Sequence, residues 1–472
     1  MPPRPISFTI HQALVPSSDG YCTTDVQISD GLISAIAPQL PSQGDAIDAT
    51  HQLLLPGFVN AHTHSSEFWQ RGVIPPYPLE LWLGELHEFS PLAPEQIYLS
   101  ALATALETLQ SGGTCLVDHL VLIPGQELET VAAAVRAYRE IGIRAFIGPL
   151  IYDESLSQGI PDGGANREPE PFYCSTTEML NLMETMIGRF HAPEQGINIM
   201  VAPTGVQLCS DDLFRGGIEI GDRFGLCRHT HLLETRAQQR LAQEKYGCTA
   251  VEHLHRLGFL SERTSLAHCV WLTEGDRALL QQTGSTVVHN PLSNLRLGSG
   301  IAPILKYHQA GINIAIGCDG AASNDGQDLL EAIKLSTLLH NVTDPDYRHW
   351  LTPRITLDFA SRGGAIGLGL GQHCGQLAVG MSADLVLYDL GNLSLLPKTD
   401  PMGLLVLGHP TRAVSTVWVQ GECCIQQGQA QRINEAELTQ KLMQYGDWFT
   451  NRSSVNIAQL ETHYRQVMGL TP

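Results

Sequence analysis

Four short segments of this 472-residue chain hold metal-ligating or proton-moving side chains at spacings that chemistry can use. In PGFVNAHTH, residues 56–64, His62 and His64 stand at i and i+2. On a strand that spacing puts both imidazoles on one face, within reach of a single ion. The apolar residues 52–55 and the Pro-Gly turn place the pair near a strand end. Alone the pattern is weak, because two hydrogen-bonded histidines in a turn satisfy it equally. In HTHLLE, residues 229–234, His229 and His231 again share a face, and Glu234 follows where the chain leaves the strand. His231 is the better ligand candidate of the two, while His229 lies one layer deeper and reads as structural. Glu234 suits a carboxyl that moves protons beside an activated water, or a favourable charge at the start of the next helix. His268 and Asp319 are lone polar residues that end the apolar runs 264–267 and 314–318. Either alone reads as a strand cap. Together the segments offer three His ligands, one Asp ligand and a spare His. That set suits one borderline-soft divalent ion: zinc first, with iron or manganese also accepted.

Such residues need a scaffold that gathers distant strand ends. Between residues 57 and 370, short apolar runs (114–117, 143–147, 197–201, 265–267, 286–288, 313–316) alternate with segments of helical period (94–110, 127–140, 235–246, 328–340). Repeated βα units predict a parallel sheet, either a barrel or a doubly wound sheet. In a barrel, active sites lie at the C-terminal strand ends. Strand-like texture at residues 6–55 and again after residue 371 flanks this body, and the two ends are expected to pair into one small domain. The expected units are 1–56 and 371–430 in that domain, 57–370 in the body, and a helical extension over 431–472. Residues 153–171, rich in Gly, Pro, Asp and Glu, read as a long loop after the third body strand.

Composition narrows the class. Hydrophobic residues make up 43% and charged residues 16%, which excludes wholesale disorder. The 28 Lys and Arg against 48 Asp and Glu give a net charge of −20, which argues against nucleic acid or an anionic membrane as partner. A small molecule is the expected partner. No apolar run approaches the roughly 20 residues that span a bilayer. The N-terminal residues lack the apolar core of a secretory signal, so the cytosol is the expected address. Eleven cysteines without a C-x-x-C pattern read as mostly buried, reduced thiols. The zinc site of the cytidine-deaminase type is excluded, since P-C-x-x-C is missing, and so are G-x-S-x-G and Walker patterns. The glycines 367, 369 and 371 do not complete a dinucleotide-binding G-x-G-x-x-G.

In chain order, PGFVNAHTH, HLLET, LAHC, VVHNPLSNLRLGSGIAPI, IGCDGAASND and GQLAVGMSADLVLYDL resemble the motif series of the amidohydrolase superfamily. The resemblance is to its cytosine deaminase-like branch of aminohydrolases and chlorohydrolases, and it runs from about residue 20 to 425. It implies a (β/α)8 TIM barrel with a β-sandwich built from both chain ends. It also implies one divalent ion on His62, His64, His231 and Asp319, with His268 orienting the water and Glu234 shuttling protons. Two-metal members carry a carboxylated lysine on the fourth strand. Here residues 197–204 read INIMVAPT, without lysine, which agrees with one ion. Adenosine-type relatives usually carry a histidine where this chain has Thr204, which weighs against an S-adenosylhomocysteine-like substrate.

The implied reaction is hydrolytic. A bound ion lowers the pKa of water from about 15.7 to near 7, Asp319 accepts the proton and His268 directs the nucleophile. A protonated Glu234 then donates to a ring nitrogen before ammonia leaves. The expected function is deamination at a C–NH2 carbon of an aromatic N-heterocycle: purine, pyrimidine, pterin or triazine-like. Two alternatives remain open at this stage. One is loss of chloride or an alkylamine, or opening of a cyclic amide, on the same scaffold. The other is a catalytically silent binding protein, which the intact set of site positions disfavours. Substrate contacts are expected from Trp69 and Gln70, His119, Thr204, His289 and Asn290, with Trp82 and Asn294 as further candidates. A homo-oligomer is compatible with the fold, but no symmetry is implied.

Overall fold

The computed structural model describes residues 6–86, 92–161, 174–446 and 457–470. The apolar runs become barrel strands: Phe58–Thr63, Gly113–Val121, Arg144–Ile151, a fourth strand in two pieces (Ile197–Ile199 and Ala202–Pro203), Arg228–Leu232, Thr264–His268, Thr286–His289 and Ile314–Ile316. Neighbours pair in parallel from the first to the fourth and from the fifth to the eighth. Val201 pairs with Arg228 to join the two runs, so the ladder passes there from third-strand to fifth-strand partners and the fourth strand is interrupted. At the other seam the Asp319 N–H donates to the His62 carbonyl at 2.8 Å. Being covered on both faces, the strands read as continuous apolar runs rather than alternating ones. Val59, Val117, Phe146, Met200, Val288 and Ala315 pack the barrel interior.

Helices Pro94–Gln110, Glu127–Ile141, Arg236–Tyr246 and Leu329–Leu338 lie within a few residues of their expected spans. Their ends follow local chemistry. The Thr235 hydroxyl accepts the Gln238 N–H at 3.2 Å and caps the third of them. Gly142, at φ 87°, stops the second in a left-handed conformation that favours glycine. All eleven cysteines are free thiols.

The chain ends form one nine-stranded mixed sheet. Five strands between Ser7 and Pro56 join four between Leu385 and Ala430, where Gln52–Pro56 runs antiparallel to Leu385–Asp389. The sheet folds over on itself. Phe8 stacks on Trp418 at 5.3 Å, although their strands stand three places apart in the sheet order. In a flat sheet that separation is about 14 Å. The curl encloses Ile10, Val26, Ile28, Leu54 and Leu385, and it makes the sandwich implied by the resemblance.

A buried ion pair ties the barrel to the chain-end sheet. Arg144, at the start of the third barrel strand, meets Asp384 at 2.9 Å. Removing one partner strands the other charge in a low-dielectric setting. Arg144→Met is therefore expected to cost about 3–5 kcal/mol, most of it regained in the Arg144→Met, Asp384→Leu double variant. Denaturant unfolding checks this, and wild-type stability in the single variant would contradict it.

Residues 162–171 of the expected long loop lie outside the described residues. The expected C-terminal extension contains helices Glu435–Gly446 and Ile457–Val467. The second packs on helix Leu79–Leu86 at the barrel mouth, where Leu81, Ala237 and Tyr464 form a cluster. Among the described residues, no helix is long and apolar enough to cross a membrane.

Candidate active site

All four chemical segments end at one rim. His62 belongs to the first strand and His64 follows it, His231 belongs to the fifth, His268 ends the sixth, and Asp319 follows the eighth. His268 at φ 75° and Asp319 at φ 64° are left-handed. Such backbone is uncommon outside glycine and costs of order 1–3 kcal/mol, which collects where side chains must be aimed. Gly317 lets the eighth strand close on the first, since a Cβ there would stand 2.9 Å from the His62 Cβ.

Hydrogen bonds fix the imidazoles. His64 Nδ1 donates to the His119 carbonyl and His231 Nδ1 to the Thr204 carbonyl, each at 2.6 Å. Each Nε2 therefore carries a lone pair, yet the two nitrogens face each other at 3.2 Å. His62 Nδ1 meets His229 Nε2 at 2.8 Å, and His229 Nδ1 in turn reaches the Ser265 hydroxyl at 2.7 Å. If the chain of donors runs from His62 to Ser265, His62 Nε2 also presents a lone pair, 3.2 Å from Asp319 Oδ1. His64 Nε2 lies 3.4 Å from the same oxygen. Lone pairs and a carboxylate crowded this way repel one another unless a cation sits among them. The separations match the edge of a tetrahedron of donors about 2.0–2.1 Å from a central ion, which is about 3.3 Å. The buried His62 Nε2 also has no hydrogen-bond partner among the described residues. His62, His64, His231 and Asp319 thus fit one divalent ion.

A cavity of about 300 Å³ opens over this cluster, at the low end of small-molecule sites. Its walls are largely apolar, with Leu79, Trp82, Tyr152 and Leu297 among them, and Glu234, His268 and Asp319 also line it. Asn294 accepts from His268 Nδ1 at 2.9 Å, which turns His268 Nε2 toward Glu234 Oε2 at 3.5 Å and Asp319 Oδ2 at 3.8 Å. The Ser299 hydroxyl donates to Glu234 Oε1 at 2.8 Å. Burial pushes the Glu234 carboxyl above the usual carboxylate range; Asp319 adds to this, and His268 and Ser299 oppose it without cancelling it.

The loop after the first strand adds two further buried carboxyls. Glu67 lines the cavity, and burial pushes it up to about 8. Glu80, on helix Leu79–Leu86, accepts from the Thr235 hydroxyl, and burial pushes it up to about 7. A carboxyl raised by folding binds more protons folded than unfolded. Its effect is absent at low pH, and stability falls as pH rises from the ordinary value of 4.5 through about 7. Glu80→Gln is expected to flatten the loss of stability between about pH 5 and pH 8, by roughly 3 kcal/mol at most. Thermal melts at both pH values test this, and equal slopes for variant and wild type would contradict it.

Of the expected substrate contacts, Gln70 and Thr204 line the cavity, as does Trp82. The structure places the other five elsewhere, Asn294 among them, bonded to His268. Trp69 is buried in the rim, its indole N–H donating to the Gln96 carbonyl at 3.0 Å. His119 lies under the cavity in the histidine cluster, stacked on His231 at 4.8 Å, with Nε2 donating to the Ala202 carbonyl. His289 and Asn290 are fully buried and do not line the cavity. Sequence reading missed Glu67, Glu80 and Ser299. Glu67 carried a signal, a carboxyl three residues past the histidine pair; the others carried none.

Three histidines and an aspartate converging at a barrel rim, beside a buried carboxyl and under an apolar cavity, define a metal-dependent hydrolase. A model of the amidohydrolase family matches residues 53–424. A 5-methylthioadenosine/S-adenosylhomocysteine deaminase from Pyrococcus furiosus is 32% identical over 432 residues, covering 89% of this chain and 95% of that protein. A zinc-bound adenosine deaminase structure from Xanthomonas campestris aligns at TM-score 0.83 and 27% identity, over 94% of this chain and 98% of that one. Zinc-complexed atrazine chlorohydrolase from Arthrobacter aurescens aligns at TM-score 0.86 and 25% identity, over 93% and 99%. The chain belongs to the amidohydrolase family, and it is a metal-dependent hydrolase acting on carbon–nitrogen bonds other than peptide bonds.

Proposed function

We propose that this enzyme hydrolytically removes ammonia from a C–NH2 carbon of an aromatic N-heterocycle. One divalent ion, zinc by preference, is held by His62, His64, His231 and Asp319. The observation that carries the reading is the Glu234–His268 pair, 3.5 Å apart, on the wall of a cavity that opens onto the histidine–aspartate cluster. When bound, the ion supplies positive charge that makes water a stronger nucleophile at neutral pH.

The chain's own groups do the rest. Asp319 Oδ2 and His268 Nε2 are placed to take the proton of the attacking water and to set its direction. Asn294 keeps the His268 Nε2 forward. Glu234, buried and proton-holding, gives its proton to a ring nitrogen, takes the one left on the new C–OH and passes it to the departing amine, and is restored by the water proton first held by Asp319. The apolar walls hold a flat ring and exclude bulk water. A leaving chloride needs no proton, so a proton-donating carboxyl at this point favours an amine. The same reading divides the chain into a catalytic barrel over 57–370, a chain-end domain of 1–56 and 371–430, and a helical extension over 431–472. It also places the enzyme in the cytosol.

Turnover in heavy-oxygen water tests the reaction class. One labelled oxygen in each product, with one ammonia released, is expected. Chloride or alkylamine as the sole leaving group would overturn the deaminase reading.

A further inference from the structure

One wall of the cavity depends on a partner to hold it. Helix Leu79–Leu86 has only eight residues, and isolated helices of that length are marginal in water. Leu79, Trp82, Leu83 and Leu86, at i, i+3, i+4 and i+7, share one helical face, and all four line the cavity. Leu81 and Gly84 lie on the opposite face, against the C-terminal helix Ile457–Val467. Leu81 joins Tyr464 and Ala237 in a buried cluster, with Leu460 packed on it. A Cβ on Gly84 would stand 2.9 Å from Leu460 Cδ2, so the two helices approach closely there. The C-terminal helix is itself anchored on two other rim segments. Arg240, on the helix that follows Glu234, donates to the Val467 carbonyl, and His463 Nε2 donates to the Pro161 carbonyl at 3.1 Å. Ala237 is also next in sequence to Gln238, which lines the cavity and takes the Glu234 N–H at 2.8 Å.

We propose that Ile457–Val467 is a strap that positions the substrate wall, with Tyr464 and Leu460 as its positioning residues. This rests on the cavity being the substrate site, as proposed above, and not on which group leaves. No residue of the strap lines the cavity, so it acts only through the wall helix and the segment after Glu234. The wall grips the faces of a flat ring, a contact made alike before and during reaction. Losing such a contact raises KM and spares kcat. The ion is held at strand ends that the strap does not touch, so its binding does not depend on the strap.

Full-length, metal-loaded protein carrying Tyr464→Ala is compared with wild type by amide hydrogen exchange and by kinetics. Amides of helix Leu79–Leu86 are expected to exchange at least about tenfold faster, while those of barrel strand Arg144–Ile151 keep their wild-type rates. The kinetic probe is whichever aminated purine, pyrimidine, pterin or triazine releases ammonia fastest from wild type. Its KM is expected to rise at least about tenfold with kcat kept within about twofold, at unchanged ion content. Tyr464→Phe, which keeps the packed ring, is expected to restore both exchange and KM. Leu460→Ala carries the same test if Tyr464→Ala does not fold. Unchanged exchange of the wall helix in a folded variant overturns the proposal, as does faster exchange with unchanged KM. A fall in kcat and ion content at constant KM also overturns it, because that marks loss of folded protein and not a displaced wall. If wild type releases no ammonia, the deaminase reading falls alone, and the exchange rates decide the strap.

Discussion

Asp319→Ala is expected to leave the protein folded, strip its bound ion and abolish turnover. Asp319 is the one anionic group among the four proposed ligands, and its Oδ1 lies 3.2 Å from His62 Nε2 and 3.4 Å from His64 Nε2. Without it, three neutral imidazoles face the ion with no charge to offset desolvation. His62→Ala should reach the same end by a different route, since it removes a ligand without placing alanine in left-handed backbone. Metal analysis of both purified variants, beside their melting curves, checks the pair. A variant that stays folded and keeps its ion at about one per chain would show that the ligand set is misassigned.

Glu234→Gln is expected to behave differently. The amide keeps the size of the side chain and can still accept from Ser299, so the ion should remain bound. What it loses is an exchangeable proton next to the ring. General acid–base contributions run at about 10²–10⁴ in rate, and most of kcat is expected to go by that amount, with substrate binding largely kept. Loss of the ion together with activity would instead make Glu234 a ligand or a structural support. The two predictions are distinct because Glu234 faces His268, while Asp319 faces the histidine pair.

The metal-facing half of this site was legible in the sequence because strand geometry made it so. His62 and His64 alternate on a strand, and His231, His268 and Asp319 each close an apolar run, so a two-residue period and a parallel barrel fix where the side chains emerge. The substrate-facing half was not legible. Trp69 and Trp82 are equally apolar in sequence, yet only Trp82 lines the cavity, because the loop after the first strand has no sustained period that sets a direction. Only the fold shows that Glu67 and Glu80 are buried. His119 read as a rim residue; in the barrel it falls in line with His64 and His231 and stacks beneath the cavity. The pairing of the chain ends was foreseen from texture, but not the order in which nine strands would join. Strand order depends on which edges meet in three dimensions, and apolar texture carries no record of that.

The most direct measurement is ammonia release by the purified, metal-quantified protein across aminated purines, pyrimidines, pterins and triazines, with Glu234→Gln as the control. Ammonia from one ring class, lost in the variant while its ion is retained, is the predicted result. No ammonia from any ring, in protein holding about one ion per chain, would contradict the assignment of this site to deamination.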